Sequence, residues 1–195
     1  MRFNGVYIAA VAVLLLCPAA VHGQVADFTD INDAVANRFF DPATTAPDPL
    51  DANRLIIGLH TGMDWTTWKA TDFRASTASF SHGTAVDTIR FRITAPEGFY
   101  IAKVTFTQKG SGSVVRIGKA AGGGSWVVGD FADDLGVFAT NPSMTRTVDL
   151  TGYNVTSVPV SITQSLFAFS PPLAGSATVS LTAASVHVEL LPFEY

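Results

Sequence analysis

Residues 88–94 read Thr-Ile-Arg-Phe-Arg-Ile-Thr, and residues 101–108 read Ile-Ala-Lys-Val-Thr-Phe-Thr-Gln. In the first run Ile89, Phe91 and Ile93 share one parity, while Arg90 and Arg92 share the other. In the second, Ala102, Val104 and Phe106 alternate with Lys103, Thr105 and Thr107. Successive side chains leave opposite faces of a pleated strand, so a strict period of two marks half-buried antiparallel strands.

Working outward, further short apolar runs fall at 55–57, 113–117, 125–128, 136–140, 146–150 and 158–169. Between them stand 109–112 (KGSG), 122–124 (GGG), 141–142 (NP) and 151–154 (TGYN). Glycine supplies positive φ and proline fixes φ, so these segments are expected to reverse the chain as turns. In the last run, 177–191, Val179, Leu181 and Ala183 have one parity and Val186, Val188 and Leu190 the other. One extra residue near Ala184 would hold both sets against the same core. The expected fold class is all-β, an antiparallel two-sheet sandwich or jelly roll.

One stretch departs from this pattern. In residues 27–40 (DFTDINDAVANRFF), Ile31, Val35 and Phe39 recur four apart, and Asp30 offers an N-cap oxygen. A short N-terminal helix is expected there. Residues 41–53 (DPATTAPDPLDAN) contain three prolines and read as a Pro-rich arm. The organisation expected is therefore a signal peptide over 1–23, a helix and arm over 24–53, and a β-sandwich domain over 54–195.

Composition supports one domain and removes several function classes. The chain has 195 residues, 48% hydrophobic and only 14% charged, with a formal net charge of −4 and one cysteine. This is too apolar for a disordered polyelectrolyte and too acidic for an electrostatic nucleic-acid binder. One cysteine gives neither a disulfide framework nor a multi-cysteine zinc site. Arg2 followed by the apolar run 5–16 (GVYIAAVAVLLL), then Pro18 and Val21-His22-Gly23, has the form of an export signal with cleavage before Gln24. Leu14-Leu15-Leu16-Cys17 outlines a lipoprotein signal, but Leu16 is bulky for the position before a lipidated cysteine, so removal is expected. Loss of Arg2 leaves the remainder more acidic, cysteine-free and without a membrane span. A secreted, periplasmic or cell-surface location follows.

Candidate sites compete with structural roles. Trp65 and Trp68, in 62–70 (GMDWTTWKA), would present indole rings for stacking on pyranose faces, or would cap one end of the sandwich. Trp126 lies in a strand-like run and is expected in the core. His60, Asp64, His82 and Asp87 fall close together in sequence and would serve as zinc ligands or acid–base groups, though no HExxH or nucleophile elbow accompanies them. Asp130, Asp133 and Asp134, in 129–136 (GDFADDLG), would supply oxygens to a structural calcium ion or form a solvated turn. Apart from calcium, no cofactor is expected. The triple glycine at 122–124 lacks a following Lys-Ser/Thr and is not a phosphate loop. Asn154-Val155-Thr156 is a glycosylation sequon in a eukaryotic secretory pathway.

The carboxyl end, with Val186, Val188 and Leu190 leading into Pro-Phe-Glu-Tyr, resembles the end of chaperone–usher pilins. That resemblance implies donor-strand pairing between copies. The cysteine pair of those proteins is missing here, and Pro192 interrupts the strand. Residues 94–104 (TAPEGFYIAKV) are similar to phrases in bacterial exported sandwich proteins. The expected function is a non-catalytic exported β-sandwich with a structural, assembly or surface-interaction role, its partner an extracellular glycan or protein, or another copy of itself. A carbohydrate-binding module using Trp65 and Trp68 and a jelly-roll enzyme acting on polysaccharide stand as alternatives. No residue is assigned as catalytic.

Overall fold

The alternating runs pair with one another as their polar and apolar faces require. The computed structural model describes residues 24–33, 40–60, 72–75, 81–116, 119–138, 143–170 and 175–194. Its strands are β1 (Asp27–Asp33), β2 (Ala46–Asp48), β3 (Asp51–Ile57), β4 (Asp72–Ala75), β5 (Ser81–Thr94), β6 (Phe99–Arg116), β7 (Lys119–Val128), β8 (Phe131–Phe138), β9 (Ser143–Asp149), β10 (Ser157–Ser170) and β11 (Gly175–Pro192). They form two antiparallel sheets, ordered β1-β5-β10-β7-β8 and β2-β3-β11-β6-β9, with β4 also paired to β11. Among the described residues the only helical segment is one 3₁₀ turn, Pro42–Thr44, and no helix is long and apolar enough to cross a membrane.

The two sheets bury their apolar faces against each other in one core. Ile89, Phe91 and Ile93 of β5 and Val158, Val160 and Ile162 of β10 come from the first sheet. Val104 and Phe106 of β6 and Val186 and Val188 of β11 come from the second. Trp126 is fully buried among them, its ring 6.0 Å from that of Phe106 across the interior. Arg90 and Arg92 stay exposed on the outer face, as the alternation requires.

The predicted helix is corrected over its first half: residues 27–33 are strand β1, paired with β5, and residues 34–39 lie outside the described residues. Val35 and Phe39, which with Ile31 suggested a helix, lie outside the described residues, and a bulge between Thr29 and Asn32 interrupts the strand's alternation. Asp30 takes φ +54 there, and the extra residue brings Phe28 and Ile31, three apart, to the same core. Asp30, expected as an N-cap, is part of that bulge.

Two glycine-rich turns are also corrected. Residues 109–112 lie inside β6, and 122–124 lie inside β7, paired with Leu166, Ser165 and Gln164 of β10. At Gly124 a Cβ would collide with the Thr163 carbonyl oxygen, so the strand needs glycine for close approach. Gly123 O accepts bonds from Gln164 Nε2 at 2.7 Å and Ser165 Oγ at 3.1 Å. Residues 141–142 lie outside the described residues, and 151–154 form a loop between the sheets, not a hairpin. The run expected at 136–140 begins earlier, since β8 starts at Phe131. The irregularity expected near Ala184 falls between Leu181 and Ala183, with Thr182 as the added residue, and it keeps Val179, Leu181, Ala184, Val186, Val188 and Leu190 buried, whereas Ala183, expected in the core, is exposed.

The segment before β3 is stitched to the sheets. Phe40 is fully buried and bridges to Leu59. Its N–H donates to Asp87 Oδ2 at 2.9 Å, and Asp41 N–H donates to the Gly58 carbonyl at 2.9 Å. The carboxyl-terminal run that resembles a pilin's end is the middle strand of the second sheet, with Val186, Val188 and Leu190 in the chain's own core.

Candidate functional site

At one end of the sandwich, two connections meet between the sheets. The β7–β8 turn contains Gly129, at φ +60, and Asp130; Gly129 N–H donates to the Pro159 carbonyl at 2.9 Å. The β9–β10 loop contains Gly152 at φ +88 and Asn154 at φ +53, conformations that glycine and asparagine tolerate best. Its backbone is pinned on both sides. Leu150 N–H donates to the Ala102 carbonyl at 2.7 Å, Ile101 N–H to Val155 O at 2.7 Å, and Ala95 N–H to Thr156 O at 2.8 Å. Leu150 closes the core beneath, while Tyr153 is lifted outward with 63% of its surface exposed.

The Tyr153 ring meets Phe131 edge-to-face, with centroids 5.3 Å apart and planes at 76°. Around this pair opens a cleft of about 570 Å³, lined also by Val128, Leu150, Val155 and Val158, with Asp130 and Ser157 as polar groups. A mostly apolar concavity with a few oriented polar atoms is what a ligand site requires. Just before the loop, the Asp149 carboxyl is held below the usual carboxylate range, chiefly by the Thr151 hydroxyl and then by its N–H, which donates at 2.9 Å. A smaller contribution comes from the nearby Lys103 ammonium. These bonds fix the start of the loop that carries Tyr153.

The residues singled out from sequence are dispersed. Trp65, Trp68 and Asp64 lie outside the described residues. Trp126 is in the core, as expected. His60 Nδ1 lies 3.8 Å from Asp41 Oδ2, a partner that sequence spacing did not single out, and its buried Nε2 has no hydrogen-bond partner among the described residues. Asp87 is fully buried and accepts from Phe40 and Thr88 backbone N–H groups. His82 sits on β5 opposite Phe169. Asp130 occupies the turn, and Asp133 and Asp134 follow on β8; all three are exposed. Asp134 N–H donates to Asp133 Oδ1 at 2.8 Å, which occupies one carboxylate oxygen locally. Among the described residues no three His, Cys, Asp or Glu side chains come together as a metal-ligand set.

Sequence reasoning passed over Phe131 and Tyr153. The available signal was an aromatic set inside turn chemistry, Thr-Gly-Tyr-Asn, where a loop spends a large ring on solvent. No protein-family model matches this sequence, and a comparison with curated proteins finds no match either.

Proposed function

We propose that this chain is an exported, non-catalytic β-sandwich of the jelly-roll type that works by binding at an extracellular surface. The export reading rests on residues 1–23, with their short basic start and apolar run. The jelly-roll reading is supported by strand order: β3-β11-β6-β9 faces β5-β10-β7-β8, the arrangement of two interlocked Greek keys, with β2 and β1 added outside. Fold alone does not select a function, because sandwiches host enzymes and binding domains alike. The observation that carries the binding reading is the pinned loop that holds Tyr153 beside Phe131 over a cleft. Rigid loops at the end of a sandwich are where such scaffolds carry recognition.

The test is retention of the exported protein on a panel of immobilised polysaccharides and cell-envelope material. Tyr153→Ala is expected to lower retention at least tenfold while leaving the circular dichroism unchanged. A Trp65→Ala/Trp68→Ala variant run beside it shows whether the indole pair carries binding instead. Equal retention of wild type and Tyr153→Ala would remove the cleft from the proposal.

A further inference from the structure

We infer that the ligand of this surface is an anionic glycan, lying from the Tyr153–Phe131 cleft, across Gly129 and Pro159, to Arg90. The inference rests on the binding role proposed above and names the class of ligand.

A second groove, of about 290 Å³, lies on the outer face of the first sheet, lined by Asn32, Arg90, Arg92, Val127 and Ser161 among others. Gly129 and Pro159 line both this groove and the aromatic cleft, so the two are contiguous around the β7–β8 turn. Ser157 lines the cleft and Ser161 lines the groove. Four residues of extended strand separate them, roughly 13 Å, which is longer than one sugar ring.

The two arginines are not equivalent. Arg92 Nε lies 3.6 Å from Asp30 Oδ2, and its Nη1 lies 3.4 Å from Ser157 Oγ, so its charge and direction are already engaged. Arg90, two residues along the same face, is exposed and makes no hydrogen bond or ion pair among the described residues. A guanidinium presents parallel N–H donors that match a carboxylate in bidentate fashion. On a chain of net charge −4, this free fork is a local positive point on an acidic molecule.

The rest of the track suits sugar. Val127 and Pro159 give an apolar floor for ring C–H groups, and Asn32 and Ser161 stand on either side of Arg90 with amide and hydroxyl groups. At the other end, Tyr153 offers a ring face and Asp130 a carboxylate that accepts from hydroxyls and repels a second anion. The ligand's carboxylate is therefore placed at Arg90 and a neutral ring at Tyr153. A phosphate polymer would meet only one unpaired guanidinium here, flanked by Asp30 and Asp130.

Binding of the exported protein to polygalacturonate and to uncharged dextran, by affinity electrophoresis and calorimetry, tests this. The expected result is at least tenfold tighter binding to polygalacturonate. Arg90→Gln should abolish that preference, Arg90→Lys should keep part of it, and Tyr153→Ala should weaken both polymers. Arg90 is exposed, so near-UV circular dichroism should be unchanged in its variants. Equal affinity for the two polymers, or an Arg90→Gln variant that binds polygalacturonate normally, overturns the inference; if Tyr153→Ala still matters, the binding role survives it. Retention on protein surfaces alone overturns the glycan assignment. No retention on any surface, with Tyr153→Ala silent, overturns the binding role as well.

Discussion

Asp87 shows how one side chain can decide where a segment goes. It is fully buried, and its two oxygens accept N–H bonds from Phe40 at 2.9 Å and Thr88 at 2.8 Å. Replacing it with alanine would leave buried donors without these acceptors, at about 1–3 kcal/mol each. Asp87→Ala is therefore expected to lower unfolding free energy by at least about 2 kcal/mol in urea titration, and Asp87→Asn, which keeps one acceptor oxygen, by less. A second residue-scale effect is pH dependence. Asp149 titrates below its ordinary value because Thr151 donates to the charged form. A depressed carboxylate contributes stability above its unfolded pKa, near 4, and loses it as pH falls through the folded value. Thr151→Ala should move the Asp149 carboxyl titration upward, read directly by carbon NMR, and so loosen the Tyr153 loop at a higher pH. Lys103 behaves with the opposite sign: its hydrogen bond to Glu189, at 2.9 Å, raises its pKa. That contribution is complete below the unfolded lysine value and fades as pH rises through the folded one.

At the scale of elements, periodicity was readable wherever a strand ran without interruption, as in β5 and the first half of β6. It misled where a bulge changed parity. In β1, one inserted residue brings Phe28 and Ile31, three apart, to the same core, so the strand carries no period of two to set against the four-residue spacing that begins at Ile31. In β7 the glycines were read as a turn because local propensity says nothing about a partner backbone; Thr163 is what forbids a side chain at 124. In β11 the same kind of irregularity was legible, because long apolar sets of opposite parity stood on either side. Deleting Thr182 tests that reading. Without the added residue, Val179 and Leu181 fall on the same parity as Ala184, Val186 and Val188, so a regular strand keeps both sets on the core face. The deletion variant is expected to keep cooperative unfolding, in urea titration followed by circular dichroism, and Thr182→Ala, on an exposed position, should cost little; loss of cooperativity on deletion would overturn Thr182 as the added residue.

At the scale of the molecule, the candidate site was only partly legible. Arg90 was visible as the polar parity of residues 88–94, and Asp130 as part of an acidic turn. That Asp130 and Tyr153 line one cleft was not, because the two connections that carry them are far apart in sequence and meet only when the sheets stack. The order of those strands has a consequence for biosynthesis. The middle strand of one sheet is β10 and the middle strand of the other is β11, each later in the sequence than the strands it joins. Until they exist, β5 has no route to β7, and β3 has none to β6. Every earlier strand pair is therefore a fragment with an open edge, and non-local pairings of this kind form slowly. A nascent chain built this way holds its earlier strands as separate pieces until residues 157–192 have been made, and each sheet is closed from its centre.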